Sequence, residues 1–465
     1  MPAFSCFSTA LLTHSDFCGL ILYERDESDN KDERNSRDSR DSIDGRNNRD
    51  SRDSGDNRYN RDKMGGFTMV ASSTESIISG TQTTAEIPTT ETVPAISERS
   101  KVYFTNMRAK ARQNMLQKLQ KLITAAGFDT IDFNYKYVAL KIHFGEPGNL
   151  SFLRPNYAKV IVDEVTRLGG KPFLTDCNTL YVGRRKNALE HIDAAYENGY
   201  NPFSTGCHVI IADGLKGTDE VLVPINGEHV KEAKIGRAIM DADIIISLNH
   251  FKGHELTGFG GAVKNLGMGC GSRAGKMEMH NAGKPFARKS ACIGCRECMK
   301  VCAQDAISMQ ENKAVIDTEK CAGCGRCLGI CLRDAIKAPG DESNTILCKK
   351  IAEYTHAVIK GRPHFHINFV MDVSPFCDCH AESDTPIIPN VGIFASFDPV
   401  ALDVACADAC NKQPVISGSY LDKPEDEREI DHFATMHPVT HWEDCLEHAE
   451  KLGVGNQAYE LQEIL

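Results

Sequence analysis

Beyond about residue 100 the chain alternates between two hydrophobic periods. Over 108–126, Met115, Leu116, Leu119, Leu122 and Ile123 recur three and four apart, as on one helix face, and Gly127 closes the segment. Residues 137–144 (YVALKIHF) form a short apolar run instead, the mark of a buried strand. The alternation continues with a helix over 157–168 ended by Gly169 and Gly170, a strand over 172–176 and a helix over 186–197. A strand over 208–213 (HVIIAD), a helix over 231–242 and a strand over 243–248 (DIIISL) follow. After a break at about residue 285 the pattern resumes: a helix over 346–359, strands over 365–371 and 389–395, and helices over 399–410 and 442–452. Pro399 falls in a first helical turn, where its missing N–H costs nothing. Short apolar strands separated by helices of this length predict an α/β fold, a mostly parallel sheet with helices on both faces.

No such period runs through the first 98 residues. Residues 24–63 repeat Arg-Asp and Ser-Arg-Asp with almost no apolar side chains, and 70–98 are rich in Ser and Thr. Segments of this kind cannot bury enough surface to offset their ordering entropy, so 1–98 is expected to be a disordered tail and linker. Met64 and Met69 are alternative starts, which would leave 1–68 out of the native product. The apolar patch at 19–22 lacks a preceding basic stretch and does not read as a secretory signal. No apolar run approaches the roughly 20 residues of a membrane span.

The break in the pattern is where cysteine gathers. The chain holds 19 cysteines in 465 residues, too many for an ordinary enzyme and spread over too long a chain for a disulfide scaffold. Cys292, Cys295, Cys298 and Cys302 form one C-x2-C-x2-C-x3-C run, and Cys321, Cys324, Cys327 and Cys331 repeat it. Three thiolates on one tight loop grip three corners of a cubane, and the fourth cysteine reaches the neighbouring cluster. The spacing therefore predicts two 4Fe–4S clusters. One is held by Cys292, Cys295, Cys298 and Cys331, the other by Cys321, Cys324, Cys327 and Cys302. Ala303 and Leu332 stand where the bacterial ferredoxin pattern has Pro. The expected organisation is an α/β domain over 101–285 and 341–465, interrupted by an inserted α+β double-cluster module of ferredoxin type at 286–340. Such clusters imply a reducing, cytoplasmic setting. The net charge of −11 argues against nucleic acid as a partner.

Three polar stretches directly follow predicted strands, where open α/β sheets bind ligands. They contribute His143 and Glu146, then Lys252, His254 and Lys264, then Asp398. Histidine and carboxylates there would move protons while lysines hold an anionic group. Asp398, before Pro399, also suits a helix cap. Gly258, Gly260, Gly261 and Gly267 could bring backbone N–H groups to an anion at a helix start, or serve tight packing. Asp176 follows another apolar strand. Cys377, Cys379 and His380 place two soft donors and an imidazole within four residues, as a metal or redox site would, or as buried thiols would.

The stretches KIHFGEPGN, FLTDCNTLYVGRRKNALEH, IISLNHFKGHELTGFGGAVKNLGMGC, the double cysteine run, MDVSPFCDCH and SFDPVALD occur in this order. On them the chain resembles a family of uncharacterised iron–sulfur centre proteins, a domain of unknown function carrying an inserted bacterial-type ferredoxin module. The resemblance covers about residues 101–460. It implies one α/β domain with an insertion and names no substrate. The function expected is an oxidoreductase passing electrons between the clusters and a strand-end site. The rivals are a non-enzymatic electron carrier or adaptor docking a redox partner, and an iron–sulfur sensor or assembly factor. No dinucleotide fingerprint follows the first strand and no flavin motif is recognisable.

Overall fold

The computed structural model describes residues 99–465 apart from 181–182, 281–283, 303, 322, 324–325, 332, 334 and 338–342. The expected tail and linker at 1–98 lies outside the described residues, as do Ala303, Cys324 and Leu332.

Eight strands form one sheet: β1 (Ser100–Asn106), β2 (Tyr137–Ile142), β3 (Lys171–Asp176), β4 (Val209–Ile211), β5 (Ile244–His250), β6 (His364–Val370), β7 (Gly392–Ser396) and β8 (Tyr459–Glu463). Their order is β8-β1-β7-β6-β5-β2-β3-β4. The pairs from β6 to β4 are all parallel, and so is β1 with β8. Only β7 runs the other way, antiparallel to both β1 and β6. β5 and β6 are neighbours although the cysteine-rich segment lies between them in sequence.

Period two in the strands builds a core on each face. On β2, Val138, Leu140 and Ile142 join Ile244, Ile246 and Leu248 of β5 and Phe365, Ile367 and Phe369 of β6 in one cluster. Helices α1 (Met115–Ala125) and α2 (Pro155–Arg167) cover it with Leu119, Leu122, Ile123, Ile161 and Val165. Ala139 and Ile245 turn to the opposite face, beneath α4 (Ala262–Cys270), α6 (Asn344–Ile359), α7 (Pro399–Asn411) and α8 (Trp442–Lys451). Two further helices, α3 (Ala188–Glu197) and α5 (Arg273–His280), flank the strand ends.

One expected helix is corrected. Within 231–242 only Arg237–Asp241 is helical. Glu232–Gly236 is a strand paired antiparallel with Glu220–Pro224, and it buries Ala233 and Ile235 at period two.

The cysteine-rich segment contains two small antiparallel pairs, Phe286–Ala287 with Ile336–Lys337 and Ile307–Gln310 with Lys313–Ile316. Two short helices, Glu297–Lys300 and Arg326–Ile330, accompany them. Its apolar cluster combines Cys298, Ile307, Ala314, Cys327, Leu328 and Ile336 with Leu180 and Met277 of the α/β body. Among the described residues no helix is long and apolar enough to cross a membrane.

Candidate functional site

The C-terminal ends of β2, β3 and β5 open onto a cavity of about 560 Å³. Polar residues at strand ends line it because the strands stop being buried on both faces there, and side chains no longer have to pack. β2 delivers Lys141, fully buried, whose ammonium lies 3.0 Å from Asp176 at the end of β3 and 2.6 Å from Asn265 Oδ1 on α4. Burial alone would raise the Asp176 carboxyl, but the positive charge around it, Lys141 first, outweighs this and holds it well below the usual range. The residue after β2 is His143, whose ring nitrogen lies 2.8 Å from the Arg185 guanidinium. Burial pushes His143 down to about 3, with Arg185 adding to the effect, so its ring is neutral. Glu146 is buried behind it in a 2.8 Å ion pair with Arg185.

β5 ends at His250, which pairs with the buried Asp378 at 2.8 Å. Lys252 approaches the same carboxylate at 3.6 Å. Desolvation works against ionisation of Asp378, yet His250 and Lys252 keep it down at about 2. A short strand, Lys252–His254, lies against the loop that carries Pro375 to Cys379: the Gly253 amide donates to Ser374 at 2.9 Å, and a Cβ on Gly253 would collide with the Pro375 carbonyl. This close approach brings His254 to Cys377 and Cys379, with one donor atom from each of the three within 4.8 Å of the others. Among the described residues this is the group of Cys, His and acidic side chains that could hold a metal ion. The Cys379 hydrogen bond is the main reason that Cys377 lies well below an ordinary thiol, against the pull of burial. Lys264, Lys252 and His254 reinforce it, and the same hydrogen bond pushes Cys379 well up. The Lys264 ammonium lies 3.8 Å from the Cys377 sulfur.

Four of the residues expected at the site therefore meet at this cavity: His143, Lys252, His254 and Lys264. Glu146 stands one residue back, behind Arg185. Asp398 does not join them. Because β7 alone runs antiparallel, the residues after it emerge at the opposite sheet edge. There Asp398 caps α7, accepting from the Val400 and Ala401 amides at 2.8 and 3.0 Å and from Ser100 Oγ at 2.6 Å. The anion expected at the Gly-rich helix start is the chain's own Asp403, which accepts from the Ala262 and Val263 amides at 2.7 and 2.9 Å. A Cβ on Gly261 would collide with that carboxylate, and one on Gly267 with the Ile351 carbonyl, so these two glycines serve close packing. His380 is not part of the group formed by His254 and the two cysteines and pairs instead with Glu255 at 2.8 Å.

A family model described as a domain of unknown function, DUF362, matches residues 138–408, more than half of the chain. The chain belongs to the DUF362 family. The DUF362 match runs from β2 into α7 and takes in the whole lining of the cavity together with both cysteine runs. No curated protein matches by sequence. Among solved structures, a crystal structure of a protein from Thermotoga maritima aligns with a TM-score of 0.34 and 14% identity, over 64% of this chain and 57% of that one. The lactate racemase apoprotein from Thermoanaerobacterium thermosaccharolyticum aligns with a TM-score of 0.27 and 11% identity, over 59% and 51%. The chain spans little more than half the length of either.

Within the DUF362 region, sequence reasoning passed over Arg185 and Lys276 as cavity groups. Lys141 stood out as a polar residue at the end of β2, and its buried partner is Asp176. Arg185 and Lys276 lie outside the predicted strand ends and gave no periodic signal. The cysteines Cys377 and Cys379 were noticed, but the imidazole beside them is His254, 123 residues earlier in the chain, and not the adjacent His380.

Proposed function

We propose that this DUF362 protein is an iron–sulfur redox protein, with two 4Fe–4S clusters in a module at 286–340 that exchange electrons with the strand-end cavity. The observation that carries the reading is that Cys331, from the second run, lines the same small cavity as Cys292, Cys295 and Cys298 from the first. That is the exchange of a fourth ligand between two runs that the spacing calls for. One further feature supports it. Backbone amides point at sulfur: Ala314 at Cys292 (3.4 Å), Ala306 at Cys302 (3.3 Å), Gly323 at Cys321 (3.4 Å) and Ala335 at Cys331 (3.2 Å), as thiolate acceptors favour. The second set, Cys302, Cys321, Cys324 and Cys327, rests on the repeat in sequence.

When bound, such clusters supply one-electron transfer. The chain's own residues do the rest. Leu180 packs in the apolar cluster of the module and also lines the large cavity, and Lys337 reaches that cavity from the module itself. The two sites therefore share a wall. Lys264 and Lys276 line the cavity, and the Lys276 ammonium donates to the carbonyls of Gly269 and Gly271. They would hold an anionic ligand. His143, a neutral ring whose nitrogens face the Arg185 guanidinium and the Gly145 amide, would border that ligand as a fixed polar wall.

The test is reoxidation of dithionite-reduced protein by a panel of small carboxylates followed in a stopped-flow instrument. Some member should reoxidise the wild type at catalytic rates. Lys264→Ala should keep its iron and sulfide but lose that acceleration. Equal rates in both proteins would show that electrons do not leave through this cavity.

A further inference from the structure

The clusters proposed above leave one group of soft donors unused. Cys377 and Cys379 lie on the loop after β6 and His254 on the short strand beside it, far in sequence from either cysteine run. We infer that His254, Cys377 and Cys379 form a third, mononuclear metal site, for a zinc-class divalent ion, whose fourth position faces the cavity and takes an oxygen of a small anionic ligand.

The argument begins with the donor set. Two sulfurs and an imidazole within 4.8 Å of one another suit a borderline-soft ion, which takes thiolate and imidazole together. The group is built, not incidental. The backbone contact at Gly253 fixes the two segments against each other, and His254 and Cys377 are buried. His437 Nε2 contacts the Pro375 carbonyl at 2.8 Å and steadies the loop from its other side. Bonding the ion through Nε2 requires the ring proton of His254 to sit on Nδ1, and the 3.1 Å contact there from the Leu256 amide then gives way.

Next comes the open position. Structural zinc sites close with four protein ligands, whereas catalytic ones have three and leave one place for water or substrate. All three donors here line the 560 Å³ cavity, and no fourth Cys, His or carboxylate joins the group among the described residues. Charge then selects the ligand. A divalent ion with two thiolates is neutral, so the Lys264 ammonium, 3.8 Å from Cys377, keeps its charge for what enters. The nearby Lys252 already faces Asp378. A ligand with one oxygen on the metal and an anionic group on Lys264 satisfies both.

This site does not depend on the iron–sulfur reading, and its test separates the two. The full chain, purified anaerobically with its iron, is titrated with Co2+ alone. One equivalent should bind with thiolate-to-cobalt charge-transfer absorption. Cys377→Ser combined with Cys379→Ser should abolish that absorption with iron and inorganic sulfide unchanged, and His254→Ala should weaken Co2+ at least tenfold. Absence of the absorption in the wild type, or its persistence in the double variant, would overturn the site. Should the double variant not fold, alkylation of the native protein decides. Zn2+ alone should protect Cys377 from iodoacetamide as read by peptide mass spectrometry, and unprotected Cys377 would overturn the site equally.

Discussion

In β5 of the α/β body, Ile246 and Leu248 are fully buried between layers of helices, and each face of the sheet has a large apolar cluster. The cysteine-rich segment contributes six residues to its own cluster, of which two are Cys298 and Cys327 and one is Ala314. Its strands are two to four residues long. A segment of about 50 residues seldom supplies a sufficient core by itself, and metal binding commonly makes up the difference. The body is therefore expected to fold without a cofactor, and the segment to depend on what its cysteines hold.

The largest expected effect breaks the comparison directly. Cys298→Ser with Cys327→Ser should strip amide protection against hydrogen exchange from 286–337 almost completely, while β2, β5 and β6 keep theirs. Loss of protection in both regions would show that the body leans on the segment. The converse substitution is Ile246→Ala in the central sheet. It should lower global stability by about 2–5 kcal/mol in denaturant titration without altering iron content. A loss of iron in that variant would blur the division.

A third prediction concerns pH and the body alone. Burial pushes His191 and His366 well below the ordinary value, takes His143 and His280 to about 3, and takes His364 to about 4. Their folded-state values lie below the unfolded one, so unfolding takes up protons as pH falls below about 6.5. Each of the fully buried pair, His191 and His366, then costs up to about 1.4 kcal/mol of stability per pH unit. Asp213 and Asp403, raised by burial to about 6, have the opposite sign: they lose stability as pH rises from about 4 to 6, and so gain it on acidification. Five histidines outnumber two aspartates. The urea midpoint should therefore fall between pH 6.5 and pH 5, and a midpoint that rises over this window would contradict the assignment. The smallest effect is at the opposite sheet edge. Asp398→Ala should cost about 0.5–2 kcal/mol, as a lost helix cap does, and leave ligand-dependent reoxidation unchanged. A loss of reoxidation would return Asp398 to the site.

The same contrast explains what was legible in the sequence. β2 and β5 stood out because strands buried on both faces are continuous apolar runs. β8 (YELQE) did not, because it is an edge strand with mostly exposed side chains. The 231–242 segment misled because its apolar residues satisfy helical spacing as well as the period-two burial of a hairpin. At the site, strand ends are readable but strand direction is not. His143, Lys252, His254 and Lys264 follow or flank parallel strands and converge, whereas Asp398 follows the one reversed strand and does not. The pairing of Cys377 and Cys379 with His254 depends on the backbone approach at Gly253, which no local pattern reports.

The central claim, that the repeated cysteine runs hold two clusters, is tested most directly by iron and acid-labile sulfide analysis of the full chain purified without oxygen. The account predicts about eight irons and eight sulfides per chain, from two cubanes. Protein without inorganic sulfide, carrying zinc in place of iron in the cysteine-rich segment, would contradict it.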